Sequence, residues 1–249
     1  APGGHVEKLI SQDKVANRAL LVTLAGREGD GDEAFTVEGP VDVAETVNGR
    51  SLGWKEVRFV KERPGQPRVE KTFRIYSADR PANVAPIELL VKVEDIPEDD
   101  PVRKKGYTLL IANAVGVPSD MGKDDGQITV RSDNVASHRA VRRISGLEEW
   151  PTEEEKKRAS HGRVEAPVSL EWVATGSRYF GLIVQPKGAL TGAELRFART
   201  ARTTASVELQ VPPPAVLPRI RDTFFIYAGP KDYGVLSALP GRQQEAIDY

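Results

Sequence analysis

An all-β sandwich or barrel is the architecture this sequence predicts. Many short segments alternate apolar and polar residues with period two, Gly/Pro/Asp turns recur between them, and helical signals are few. In IELLVKVED, Ile87, Leu89, Val91 and Val93 face one way, opposite Glu88, Lys92 and Glu94. In ASVELQV, Val207, Leu209 and Val211 alternate with Ser206, Glu208 and Gln210. Both read as half-buried strands.

Further strands are expected at 18–25, 54–62, 69–77, 107–115, 127–132, 138–144, 164–175, 178–185, 193–199 and 222–228. Turns fall at PGQP 64–67, DRPAN 79–83, DDG 124–126, TGS 175–177 and KGAL 187–190. PPPAVLP 212–218 cannot donate to a central ladder and belongs at an edge or crossing. Two helical stretches are expected. PTEEEKKRAS 151–160 places acids first and bases last, which suits the helix dipole, but has almost no apolar face. DYGVLSALPGRQQEAIDY carries Val235, Leu236 and Leu239 at helical spacing, is interrupted at Pro240-Gly241, and resumes at RQQEAI.

LEWVATGSRYFGLIVQP, 170–186, is the most apolar long stretch. Leu170, Trp172 and Ala174 are expected on one face. After Gly176 both faces are apolar, with Phe180, Leu182 and Val184 against Tyr179, Gly181 and Ile183. A strand apolar on both faces is covered on both sides, by a second sheet or by a helix. Trp172, Tyr179 and Phe180 are therefore expected in the core, and Trp54 and Trp150, nearer turns, are the better candidates for exposed contacts.

The chemistry of the chain is sparse. With 35 basic and 36 acidic residues interspersed, no basic face points to nucleic acid. The absence of Cys excludes disulfides and thiolate metal sites. No G-x-S-x-G elbow and no Gly-rich phosphate loop is present. His5, His138 and His161 stand in polar surroundings and read as surface groups. SDMGKDDG 119–126 offers Asp120, Asp124 and Asp125 but lacks the late Glu of a calcium loop, so it reads as a polar hairpin. EDIPEDDP 94–101 reads as a solvated acidic turn. No catalytic, cofactor or metal residue is assigned. No apolar run is long enough to span a bilayer, and no leader opens the chain, which is expected to be a fragment of something longer.

Trp172, Ala174, Tyr179, Phe180 and Pro186 stand at the spacing W-x-A-x-x-x-x-Y-F-x-x-x-x-x-P. Together with Gly229, Pro230, Lys231 and Leu236 of FFIYAGPKDYGVLSAL and the ending EAIDY, they resemble the large periplasmic domain of bacterial YidC-type membrane protein insertases. GGHVEKL resembles the turn after that domain's first strand, which would precede Gly3. The resemblance implies a β-supersandwich of two stacked, mainly antiparallel sheets, galactose mutarotase-like, over 1–231. A C-terminal helical segment, 232–249, would lead to a transmembrane helix outside this chain. It implies a non-enzymatic domain at the periplasmic face of the inner membrane, anchored through helices outside the chain and without a cofactor. Its partners would be Sec translocon accessory subunits and nascent membrane proteins. The tail is expected to pack through Val235, Leu236, Leu239 and Ile247. The alternative is a carbohydrate-binding or mutarotase-like protein of the same fold, which needs a facing acid and base.

Overall fold

The computed structural model describes residues 20–26, 35–47, 49–116, 127–134, 137–143, 163–165, 169–176, 179–188, 190–201, 204–213 and 219–247. The candidate helix 151–160, the loop 119–126, the turn at 3–9, His5, Trp150 and His161 lie outside the described residues.

Two antiparallel sheets stack into a sandwich. The smaller has the order β1 (Leu21–Leu24), β6 (Tyr107–Gly116), β14 (Thr204–Val211), β13 (Glu194–Ala201), β9 (Arg163–Glu165). The larger runs β2 (Thr36–Val47), β3 (Arg50–Lys61), β4 (Arg68–Tyr76), β5 (Ile87–Glu94), β15 (Ile220–Pro230), β11 (Phe180–Pro186), β10 (Ser169–Gly176), β7 (Gln127–Asn134), β8 (Ser137–Arg143). A two-residue β12 (Leu190–Thr191) pairs with β10. Helices are short: α1 (Val102–Lys105), α2 (Tyr233–Ala238) and a 3₁₀ turn at Gln243–Ala246.

Alternation delivers the core. Leu89, Val91 and Val93 of β5, Val69 and Phe73 of β4 and Phe224 and Ile226 of β15 meet Leu109 and Ile111 of β6 and Val207 and Leu209 of β14. All of them are buried. Each large side chain removed from water contributes roughly 1.5–3 kcal/mol.

Four expectations are corrected. The segment 164–175 is not one strand: β9 joins the small sheet and β10 the large one. Leu170 does not share a face with Trp172. The register of β10 against β7 shifts between Leu170 and Trp172, so Leu170 enters the inter-sheet core while Trp172 and Ala174 point to the opposite face. A bulge of this kind re-aims the side chains that follow it. Tyr179 and Phe180 are not core; they are 65% and 60% exposed. Phe180 opens β11 and pairs with Pro230, the last residue of β15, so it lies at the end of the sheet. Alternation sets where a side chain points, not whether anything lies opposite. Finally, Trp54 is only 8% exposed, because β3 extends back to Arg50 and leaves it in mid-strand.

A polar link crosses the sandwich. The Tyr107 hydroxyl, from the small sheet, donates to Asp222 Oδ2 of β15 at 2.9 Å. Burial raises the Asp222 pKa, more than the tyrosine hydrogen bond lowers it. The folded chain therefore holds a proton on Asp222 more tightly than the unfolded chain does. Stability is highest below the ordinary carboxylate pKa and falls as pH rises through the raised folded value. Asp222→Asn keeps an acceptor for Tyr107 and removes the charge. It is expected to be more stable than the parent at neutral pH, with the advantage vanishing in acid; urea denaturation across pH checks this.

Candidate functional site

The face of the large sheet that turns away from the core has two parts. One is covered by the chain's own tail; the other is open and ionic.

The covered part is built on β10, β11 and β15. Trp172, Ala174, Ile183 and Tyr227 pack against Leu236, Leu239 and Ala246, with Ile247 beside them. The doubly apolar strand is thus covered by a sheet on one side and by helical turns on the other. Asp232 starts α2, its carboxylate accepting from the Val235 amide at 2.9 Å. Leu236 and Leu239 are buried as expected, but Val235 is exposed: only one side of a six-residue helix meets the sheet.

Polar contacts fix the tail's position. Trp172 Nε1 donates to the Gly241 carbonyl at 2.8 Å, and Gln243 Nε2 donates to Gln185 Oε1 at 2.7 Å. Gly241 has φ +83, and a Cβ there would stand 2.7 Å from Gln185 Nε2, so glycine is required twice over. Arg131, buried on β7, donates to Glu171 at 2.6 Å and to Glu245 of the 3₁₀ turn. The β10 bulge makes this group: it places Trp172 opposite Arg131, with Glu171 at the bulge itself.

The remaining residues that carry the resemblance cluster nearby. Pro186 closes β11 and is buried. Gly229 and Pro230 end β15 opposite Gly181 and Phe180. The Lys231 amide donates to the Tyr179 carbonyl at 2.7 Å, and its aliphatic chain lies over Gly181, where a Cβ would be 3.3 Å from Lys231 Cε. His138 lies on β8, its side chain outside the described residues.

The open part lies on β3, β4 and β5. Antiparallel register sets Glu56, Arg74 and Glu88 in one row across three strands, and pairs Glu70 with Lys92 and Arg68 with Glu94. Arg74 reaches Glu56 at 3.2 Å and Glu88 at 3.3 Å. Glu70 meets Lys92 at 2.9 Å and Arg68 at 3.1 Å, with Arg58 at 3.7 Å. Arg58 continues to Glu38 of β2, and Glu94 to Arg221 of β15, each at 3.3 Å. Isolated exposed pairs contribute about 0–1 kcal/mol each. This is a network around the buried carboxylates Glu70 and Glu88. Burial pushes the Glu70 pKa up, but Lys92, Arg58 and Arg68 together outweigh it and hold the pKa below the ordinary value.

At one corner Trp54 packs on Tyr76 with ring centroids 5.7 Å apart, and the Arg74 guanidinium sits 5.3 Å from the Trp54 ring centre. The Tyr76 hydroxyl donates to Glu88 at 3.2 Å, and burial together with Glu88 raises the tyrosine pKa to about 12. Beside this corner a small apolar cleft is lined by Tyr76, Asn83, Val84, Ala85, Phe225 and Pro240, joining the ionic face to the tail. The acidic turn 94–101 is structural in part. Asp100 is buried and accepts from the Val102 amide at 3.0 Å, and Arg103 donates to the carbonyls of Ile96 and Pro97.

Local sequence patterns do not predict the network. Its alternating charges are visible along each strand, but which charge meets which follows only from register. On this face Glu56 and Glu88 both bond Arg74 instead of facing each other across a gap. Compared with protein-family models and with curated proteins, the chain matches none.

Proposed function

We propose that this chain is the non-enzymatic, extracytoplasmic sandwich domain of a YidC-type membrane protein insertase, at the periplasmic face of the inner membrane. In this reading it contacts Sec translocon accessory subunits or emerging membrane proteins through the open ionic face, while the tail hands the chain on toward a membrane helix. The observation that carries the reading is the tail latch: Trp172 from the first half of the motif holds Gly241, just past the Gly229–Leu236 half. Two sequence segments that carry the resemblance thus serve one mechanical purpose, a rigid exit angle.

The latch is tested with Leu236→Asp, which puts a carboxylate into the contact with Trp172 and Ile183. Hydrogen exchange of the 233–247 amides is expected to speed up by about tenfold or more while the inter-sheet core stays protected. In the parent reading frame, which is expected to encode hydrophobic helices on both sides of this domain, the same substitution should impair insertion. A parent frame without such helices would end the insertase reading.

The sugar-binding alternative has one observation in its favour, the Trp54–Tyr76 corner with Arg74 and Glu88 beside the cleft. Aromatic rings and fixed polar groups at a cleft suit a small ligand. Saturable binding on a glycan array, abolished by Trp54→Ala, would favour it over the insertase reading.

A further inference from the structure

Strand β2 ends the large sheet, and among the described residues its one neighbour is β3. An edge of this length presents unpaired amides and carbonyls, which native chains blunt with Pro, bulges or Lys. The first half of β2 is blunted in this way. The ladder shifts register between Glu38 and Val41, where Gly39-Pro40 intervenes, and Pro40 has no amide to donate. Gly39 has φ +100, and a Cβ there would stand 2.7 Å from the Glu56 carbonyl. The second half, VDVAETV at 41–47, has no Pro, no Gly and no basic residue. Its Val and Thr content is that of a strong β-former.

Charge and shape choose the occupant. The whole strand carries Glu38, Asp42 and Glu45 and not one cation. Lys55 holds Asp42 at 2.7 Å and Arg58 holds Glu38 at 3.3 Å, yet both carboxylates stay largely exposed. Glu45 has no ion pair among the described residues. Val37 and Val41 are 57% and 58% exposed, the most exposed large aliphatic side chains described. Directly paired residues share a face, so Val41, Val43 and Glu45 lie on the side of Glu56, Trp54 and Leu52, at the margin of the ionic face. A second copy of this chain laid edge to edge would bring together two strands that each carry three carboxylates and no cation, which disfavours it.

We propose that the β2 edge from Val41 to Val47 is a strand-addition site for an extended segment of another protein that alternates apolar and basic side chains. Backbone amides and carbonyls supply the ladder. Apolar partner residues rest on Val41 and Val43, and the basic ones, which alternation sends to the opposite face, meet Asp42. The site stands independently of the insertase reading.

The test uses two short synthetic peptides, one alternating valine and lysine and one alternating valine and glutamate, titrated into the isotopically labelled chain. The valine–lysine peptide is expected to shift the amide resonances of 41–47 saturably, about tenfold or more tighter than the glutamate peptide and less tightly as salt rises. Asp42→Lys, an exposed change, should cancel most of that preference, and Ala44→Pro should weaken both peptides. If Ala44→Pro does not fold, the Asp42→Lys comparison still decides. Equal binding of both peptides, shifts elsewhere with 41–47 unmoved, or self-association that occupies 41–47 would each overturn the proposal.

Discussion

Trp172→Ala is expected to destabilise the domain by about 3–5 kcal/mol, the range for deleting a large aromatic from a packed site. Trp172 is fully buried and fills the space between β11, β15 and the tail. The latch cannot collapse onto the hole without moving Gly241, whose carbonyl the Trp172 ring nitrogen holds at 2.8 Å. Trp172→Phe divides the effect. It keeps most of the ring and loses the donor to the Gly241 carbonyl, at a cost of about 1 kcal/mol. Tyr179→Ala, at an exposed position in the same motif, should change stability by about 0.5 kcal/mol or less. Urea denaturation of the three variants ranks them. A Trp172→Ala cost under about 1 kcal/mol would show that the tail does not depend on this contact.

That ranking separates residues which the primary structure presents as one motif. Strand positions are legible wherever one face is dry and the other wet, as in β5 and β14, because period two is the physical signature of that asymmetry. Strand β2 escapes the same reading: side chains on both its faces are exposed, and Gly39-Pro40 interrupts it. The covering of the motif strand is also legible, since apolar residues on both faces demand two partners. Its detail is not. The bulge that sends Leu170 and Trp172 to opposite faces leaves no mark in the local pattern. The partners of Arg131 show why the site is harder to read than the fold: Glu245 lies 114 positions away, and only the closed tail brings the two together. The ionic face follows the same logic, because Glu56, Arg74 and Glu88 become a row only after three strands have found their register.

Lys71→Met is expected to stabilise the domain, by about 2–3 kcal/mol at neutral pH. Lys71 points inward from β4, between Val69 and Phe73, at a position where alternation calls for an apolar side chain. It is buried, and its ammonium lies 4.4 Å from the Phe35 ring centre and 5.4 Å from that of Phe59. Lys61 holds a second ammonium over the same Phe35 ring at 5.3 Å. Burial first, and repulsion from Lys61 second, lower the Lys71 pKa from 10.5 to about 8. In the window between those values the unfolded chain binds more protons than the folded one, so stability rises with pH across it. Below about 8 the full penalty is present, about 3 kcal/mol for a shift of that size. The aromatic contacts offset about 1 kcal/mol of whatever the change to Met gains. Methionine fills nearly the same volume without a charge and adapts to the rings. The advantage over the parent should therefore be largest at neutral pH and shrink as pH rises toward the ordinary lysine value. If Lys71→Met were instead destabilising by a pH-independent amount, the cation between the two phenylalanines would be a net support of the sandwich, and the inner edge of β4 would have to be read as a polar anchor and not as core that carries a charge.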